Sequence, residues 1–280
     1  MPAIGRNLPN GARCASSLAE SGDTMCSQTT RSEPLMATQT AHISKTDTPP
    51  AAIPDDAVPV LDHGFVRLVG AMADDLSVVN AARVSFAQQS GEVGDRERGL
   101  IRFLMRERHG TPFEHNAFRF HIKAPIFVAR EHMRHRTNSF NEWSARYSVL
   151  EPEFYLPAAE DVRTQVGKPG AYRFEAVDPE TAELTREKQR DIYNRAYETY
   201  QDLLERGVAK EVARNVLPVA IYTQYFWTVN ARSLMNFLSL RNAATAQYEI
   251  RQYAEAVEEF FKHHMPLTFE AFVANDRVAP

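Results

Sequence analysis

Residues 118–148 read FRFHIKAPIFVAREHMRHRTNSFNEWSARYS and contain three different patterns in succession. Apolar and polar residues alternate over 118–123, which predicts a half-buried strand. Pro125 can open the next helix, which runs as far as Met133. Residues 134–148 then lose all apolar periodicity. We therefore expect a loop that is held by a rigid strand and helix, where binding sites tend to lie.

The rest of the chain adds more helix than strand around this stretch. Apolar spacing together with Gly, Pro and capping residues marks the segments. Because the strands and helices do not alternate strictly, the pattern predicts an α+β fold, with helices packed on a small antiparallel or mixed sheet in a single domain. The other predicted strands are residues 64–69 and 219–229, and the other predicted helices are residues 76–86, 95–108, 179–206, 209–216, 231–240 and 245–264.

The N-terminal residues 1–57 differ from the rest in composition. They are rich in Ser, Thr, Ala and Pro and show no sustained periodicity, so we expect a disordered extension followed by a catalytic domain over 58–280. Both cysteines, Cys14 and Cys26, lie in the extension. A disulfide framework, a cysteine metal site and a cysteine nucleophile are therefore excluded from the predicted domain, and we expect no bound metal.

Charge and hydropathy limit the partners. The formal net charge is -4 and the pI is about 6.2, which argues against a general nucleic-acid binder. Four arginines nevertheless crowd one short stretch, which suggests a small anionic ligand. No apolar run is long enough to cross a bilayer, and the N-terminus lacks the apolar core of a secretory signal. We expect a cytoplasmic protein without a membrane partner. The clustered arginines are Arg130, Arg134, Arg136 and Arg146.

The side chains of residues 134–148 suit a nucleotide monophosphate. Guanidinium groups and hydroxyls bind a phosphate dianion, and Asn and Glu can contact the edge of a base. Ser144 and Arg146 are two residues apart, so in an extended segment both point to one face. A solvated loop with incidental arginines is the alternative, and an RNA-binding module is another that the acidic pI disfavours. The mixture of amides, hydroxyls, aromatics and arginines favours the nucleotide site.

Five sequence blocks in order resemble the flavin-dependent thymidylate synthases. One block is ArgHisArg at 134–136, followed after seven residues by Ser144. The resemblance extends over about residues 60–273. The other blocks are AlaArgValSerPhe (82–86), HisGlyThrProPheGluHis (109–115), ArgTyrSer (146–148) and ThrValAsnAlaArgSerLeuMetAsnPheLeu (228–238).

This resemblance implies an activity, cofactors and an assembly. Members of the family methylate dUMP to dTMP, with methylenetetrahydrofolate as carbon donor and NADPH reducing FAD, and they use no cysteine nucleophile. The flavin then supplies the redox chemistry while the protein orients the reactants. The resemblance also implies a homotetramer whose sites lie between subunits. A non-catalytic nucleotide-binding regulator with the same arginine loop is the alternative function.

The resemblance also assigns site residues. We expect Arg241 to stabilise charge on the uracil carbonyls and a neutral His135 to face the flavin. Ser144 is expected to orient dUMP rather than attack it, because no general base is evident beside it. The expected FAD contacts are Ser85, Thr111, Glu114, Arg134, His135, Arg136, Thr137, Asn230, Arg232 and Asn236. The expected dUMP contacts are Glu131, Arg134, Glu142, Ser144, Arg146, Arg214 and Arg241.

Two of these positions have a competing structural explanation. Thr111 and Glu114, with Pro112 between them, have the form of a capping box that starts a helix.

Glu131 replaces the Gln that the best-known family members carry three residues before ArgHisArg. A carboxylate near a phosphate is unfavourable unless a cation pairs with it, and Arg130 or Arg134 is the expected partner.

Overall fold

A computed structural model describes residues 53–168 and 171–280 of the chain. All of them belong to one compact unit, Ile43–Pro280. Residues 1–52, which make up most of the expected extension, lie outside the described residues. The expected disorder of residues 1–57 and the expected domain boundary between residues 57 and 58 therefore stay predictions. The first strand begins at Ala57, one residue before the expected domain.

The described residues contain seven strands and nine α-helices. The strands are β1 (Ala57–Val60), β2 (Gly64–Met72), β3 (Ala117–Pro125), β4 (Ser139–Glu142), β5 (Arg163–Val166), β6 (Arg173–Ala176) and β7 (Tyr222–Asn230). The helices are α1 (Asp75–Arg83), α2 (Asp95–Arg106), α3 (Thr111–Glu114), α4 (Ile126–His132), α5 (Pro179–Glu205), α6 (Lys210–Ala213), α7 (Ala231–Arg241), α8 (Tyr248–His264) and α9 (Pro266–Ala274). Short 3-10 segments cover Val84–Phe86, Ala159–Asp161 and Arg214–Val216.

Five strands form one sheet in the order β1-β2-β3-β7-β4, and every neighbouring pair is antiparallel. Strands β5 and β6 form a separate antiparallel pair. The expected α+β class with a small sheet in a single domain is confirmed, and in the described part of the chain the sheet is antiparallel rather than mixed. None of the helices there combines the length and apolar character needed to cross a bilayer.

Side-chain alternation makes one face of the sheet the main core. Phe120 of β3 lies opposite Trp227 of β7, and their rings stack at 5.4 Å between centroids. Both are fully buried, whereas Arg119 and Phe226, their neighbours in sequence, are exposed. The buried face packs with residues of α1, α2, α7, α8 and α9. This is the pattern of an antiparallel sheet that is covered by helices on one side.

A second apolar cluster fixes the chain that follows the arginine-rich stretch. The Tyr200 hydroxyl of α5 accepts a hydrogen bond from the Leu150 N–H at 3.3 Å, and the Tyr197 hydroxyl donates to the Leu150 carbonyl at 3.0 Å. Phe154 stacks on Tyr193 with 4.9 Å between ring centroids. The long helix therefore supports the end of the polar segment 134–148.

Strands β1, β4, β5 and β6 and helix α9 were not expected from the sequence. Strand β4 lies inside the segment expected to be a loop, and it pairs with β7 through the partners Phe140↔Trp227 and Glu142↔Tyr225. Strands β5 and β6 form an exposed hairpin. Helix α9 begins at Pro266, directly after α8.

Candidate functional site

An open cleft of about 500 Å³ lies where the ends of α4 and β4 meet the 3-10 segment Arg214–Val216. Its polar lining combines two guanidinium groups with hydroxyl, amide and carboxylate groups. Apolar residues form the remaining wall. The polar lining residues are Arg130, Glu142, Ser144, Arg214, Asn215 and Thr223, and the others are Ile126, Trp143, Ala145, Leu150, Leu217 and Ile221.

Backbone hydrogen bonds hold this lining in place. The Ile126 N–H at the start of α4 donates to the Ile221 carbonyl at 3.0 Å, just before β7. The Trp143 N–H donates to the Gln224 carbonyl at 2.8 Å, which extends the β4–β7 pairing by one residue. Glu142 accepts a hydrogen bond from the Thr223 hydroxyl at 2.8 Å. The cleft is thus built on rigid elements, as an oriented binding site requires.

Ser144 and Arg146 do not share the cleft. Ser144 lines it, and its Oγ accepts a hydrogen bond from the Arg146 N–H at 3.4 Å. The Arg146 guanidinium instead donates to Glu211 at 3.0 Å and lies over the Tyr147 ring. The shared face expected from their spacing is therefore wrong for this chain, because residues after β4 leave the extended conformation in a turn closed by the Tyr147 N–H and the Ser144 carbonyl.

A second cluster joins the end of α7 to the end of α4. Arg241, the last residue of α7, donates from Nε to Nε2 of His135 at 2.8 Å and from Nη1 to the Glu131 carboxylate. The His135 ring packs edge-on against Phe237, 5.1 Å away. Arg241 is therefore the cation that pairs with Glu131. The expected pairing with Arg130 or Arg134 is wrong.

His135 is neutral at neutral pH, as expected. Burial, and then the charge of Arg241, lower its pKa to about 4. Its sequence neighbours Arg134 and Arg136 are exposed. The fully buried His132 nearby has its pKa lowered too, chiefly by burial.

A third group of expected residues lies where α3 meets the start of α7. Asn230 caps α7, since its Oδ1 accepts a hydrogen bond from the Ser233 N–H at 2.8 Å. Arg232 donates to Glu114 at 2.5 Å. The capping box predicted for Thr111 and Glu114 is wrong. Thr111 is already inside α3, and the N-cap residue is Gly110. Glu114 is engaged by the arginine and not by the helix start.

The remaining expected residues are exposed and lie outside the cleft. Ser85 lies in a 3-10 turn between two exposed apolar residues, Val84 and Phe86. Thr137 has a positive φ of 68° at the bend between α4 and β4. The exposed residues of the expected flavin set are Ser85, Thr111, Glu114, Arg134, Arg136, Thr137 and Asn236.

Of the seven expected dUMP contacts, the cleft contains Glu142, Ser144 and Arg214. Sequence reasoning did not assign Arg130, Asn215 or Thr223 to the site. Arg130 belonged to the clustered arginines and Asn215 follows Arg214, so both had a signal in the sequence. Thr223 had none, because its hydrogen bond to Glu142 depends on the register between β4 and β7.

Comparison with known proteins relates this fold and cleft to nucleotide-methylating enzymes. Crystal structures of the UMP/dUMP methylase PolB from Streptomyces cacaoi, bound with 5-Br UMP and with 5-Br dUMP, align with TM-scores of 0.72 at 46% identity. The alignments cover 79% and 80% of this chain and all of the methylase chain. The chain therefore shares the fold of this UMP/dUMP methylase.

Sequence relatives identify the family. The family model described as thymidylate synthase complementing protein matches residues 67–267. The flavin-dependent thymidylate synthase of Thermotoga neapolitana is 50% identical over 77% of this chain and 94% of its own length. The enzyme of the same name from Thermus thermophilus is 48% identical over 77% of each chain. The chain belongs to the flavin-dependent thymidylate synthase family.

Proposed function

We propose that this protein is a flavin-dependent thymidylate synthase that methylates dUMP to dTMP with FAD as cofactor. Methylenetetrahydrofolate supplies the carbon and NADPH reduces the flavin. The observation that carries the proposal is the cleft, in which Arg130, Arg214 and Ser144 converge although they come from three different parts of the chain. Family membership supports the same reaction. We also propose that the protein works in the cytoplasm.

The cleft suits the phosphate end of dUMP. Two guanidinium groups and a serine hydroxyl can donate several charge-assisted hydrogen bonds to a phosphate dianion. Glu142, whose Oε1 accepts from Thr223, and the Asn215 amide lie in the same cleft and can contact the ribose or the base. Ser144 acts as a donor, because its described hydrogen bonds include no base that could accept its proton.

The Arg241 cluster suits the uracil ring. As C5 of the pyrimidine becomes nucleophilic, negative charge builds on the carbonyl oxygens, and a fixed guanidinium beside them lowers the energy of that state. Arg241 is fixed by Glu131 and His135. A neutral His135 adds no second positive charge, and it offers a flat polar ring at the surface of the cluster.

The residues expected around FAD fit such a group in their chemistry. Arg134 and Arg136 are exposed and form no ion pair with any described residue, so both are free to bind a diphosphate. Arg232, Thr111 and Asn236 add further donors. Bound FAD would supply the hydride that the reaction requires. The chain's own residues would bind the diphosphate and place the ring beside His135.

We further propose a homotetramer with composite sites. In one chain the cleft with Arg214 does not include Arg241, and the expected flavin contacts lie in exposed patches. A dUMP molecule whose phosphate occupies the cleft would then meet the Arg241 cluster of a neighbouring subunit. Exposed donor patches on one chain would similarly be completed by residues of another copy.

The proposal is tested by replacing Arg214, which lies in the cleft but not among the expected flavin contacts. In R214A, dUMP affinity should fall at least about 30-fold, because one charge-assisted phosphate contact contributes roughly 2 kcal/mol. Flavin content, read from visible absorbance, should stay at the level of the unchanged protein. Calorimetric titration of the flavin-loaded protein with dUMP measures the first quantity.

A matched control is R195A, which removes an exposed arginine of α5 that is outside the cleft and should leave dUMP affinity unchanged. If R214A binds dUMP as tightly as the unchanged protein, the cleft is not the phosphate site. The non-catalytic regulator makes a different prediction. It binds dUMP but contains no flavin and forms no dTMP when the two co-substrates are supplied.

A further inference from the structure

Glu131 points away from the cleft that its neighbour Arg130 lines. Its carboxylate accepts a hydrogen bond from Nη1 of Arg241, and the side chains of both residues are less than a quarter exposed. An ion pair with this degree of burial is screened less by water than a surface pair. Glu131 is therefore engaged by a protein cation, Arg241.

Arg241 makes its second contact with a ring nitrogen of His135. Its Nε–H donates to Nε2 of His135 at 2.8 Å. A guanidinium has donors and no acceptor, so Nε2 must carry a lone pair and no proton. Because His135 is neutral, its proton is on Nδ1. The contact thus selects one of the two tautomers of this histidine.

Without Glu131, Arg241 would retain only the bond to His135 among its side-chain hydrogen bonds with the described residues. An arginine side chain loses about 2 kcal/mol of rotamer entropy when it is fixed, and a single neutral hydrogen bond contributes only about 1 kcal/mol. The carboxylate supplies a second, charge-assisted bond to Nη1 of Arg241. His132, whose pKa the charge of Arg241 helps to lower, stacks on Phe237 at 4.5 Å, and neither ring offers Arg241 a negative charge.

We propose that Glu131 is a positioning residue: it holds Arg241, and through Arg241 it fixes His135 as the Nδ1–H tautomer, without itself contacting dUMP. The effect on catalysis rests on the function proposed above. The effect on His135 does not, because Arg241 contacts both Glu131 and His135 directly.

The tautomer is tested by NMR of protein with isotope-labelled histidine, with H135Q used to assign the signal. The unchanged protein should show His135 unprotonated at Nε2 at pH 7. In E131A, Arg241 loses its anchor, and the Nε2–H tautomer should become the major form. In E131Q, the amide oxygen still accepts from Arg241, and Nδ1–H should persist. Retention of Nδ1–H in E131A would overturn the proposal.

Kinetics separate positioning from direct binding. E131A should lower kcat by about 10-fold to 100-fold, the range expected when a catalytic group is misplaced, and E131Q should recover most of that loss. A direct dUMP contact would instead raise KM in both variants and leave the tautomer unchanged. The control E259A removes an exposed glutamate of α8 and should change neither kcat nor the His135 signal.

The two proposals fail in distinguishable ways. If no dTMP forms but E131A still changes the His135 tautomer, the function is wrong and the role of Glu131 stands. If dTMP forms at the normal rate in E131A and the tautomer is unchanged, Glu131 has no positioning role. Thermal melting of E131A and E131Q tests whether either variant has lost its fold. If E131A does not fold, the test falls on E131Q, which makes the smaller change and must keep both the fold and the Nδ1–H tautomer of His135.

Discussion

Two histidines at the end of α4 are kept neutral by the protein around them. His132 is fully buried, with Nδ1 hydrogen bonded to the Tyr225 hydroxyl at 2.8 Å, and its Nε2 has no partner among the described residues. His135 is partly buried and accepts from Arg241. Burial is the largest cause of the lowered pKa in both residues. Protonating either ring would place a second positive charge next to Arg241.

This arrangement predicts a loss of stability in mild acid. The unfolded chain protonates these histidines near pH 6.5, whereas folded His135 resists protonation until about pH 4. Their contribution is complete above about pH 6.5 and is lost as the pH falls towards 4, because the unfolded state then binds more protons. The free energy of unfolding in urea should therefore be lower at pH 4.5 than at pH 7.5.

Carboxylates also titrate in acid, so the comparison needs H135Q. This variant should lose less stability than the unchanged protein between the two pH values, at the same protein concentration. An equal loss in both proteins would show that His135 does not contribute to the acid dependence.

At the scale of elements, one side chain of α1 holds the start of α9. The Asp75 carboxylate accepts hydrogen bonds from the N–H groups of Leu267 and Thr268 at 2.9 and 2.8 Å, and from the Thr268 hydroxyl at 2.7 Å. Asp75 and Thr268 are both buried. The carboxylate therefore supplies the cap that the α9 sequence lacks, from nearly 200 residues away.

D75A should therefore lower the free energy of unfolding by about 3 kcal/mol, because it leaves buried donors unpaired. D202A is a matched control, since Asp202 forms an exposed i,i+4 pair with Arg206 and should contribute less than about 0.5 kcal/mol. Urea unfolding of both variants measures the difference. Equal stability of the two variants would contradict the capping role.

Elements with their own local pattern were predicted well from the sequence. The alternation over 118–123 became β3, and the long helical pattern over 179–206 became α5. Strand β4 could not be recognised, because its four residues are mostly polar and exposed and its backbone is satisfied by β7. The capping of α9 by Asp75 was equally invisible, because it joins residues far apart in the chain.

The same distinction holds for the candidate site. The residue types of the loop pointed to Ser144, the family resemblance assigned Arg214, and the cleft contains both. Contacts that depend on packing between distant elements were not predictable, such as Arg241 with Glu131 and Arg232 with Glu114. Whether all the expected flavin and nucleotide contacts meet in one site stays a prediction, because most of them are exposed on the single chain.

For the whole molecule, the separation of Arg214 from Arg241 predicts complementation between subunits. R214A and R241A should each be inactive alone. If a site takes its cleft from one subunit and its Arg241 from another, mixed oligomers contain some sites with both arginines. Random mixing of equal amounts should restore activity at about a quarter of the sites.

The measurement is dTMP formation after the two variants are unfolded together and refolded. A mixture of R214A with the double variant R214A/R241A serves as the control and should stay inactive. If the two single variants show no recovery when mixed, although both refold into oligomers, each site uses both arginines from one subunit.

The pairing of β4 with β7 also limits where residues can be inserted into the chain or deleted from it. Phe140 and Glu142 lie on the same face of the sheet as their partners in β7, Trp227 and Tyr225 respectively. One codon gained or lost between α4 and β4 would turn both side chains to the opposite face. Natural length variation should therefore avoid this bend and accumulate in the β5–β6 hairpin, whose strands pair only with each other in the described structure.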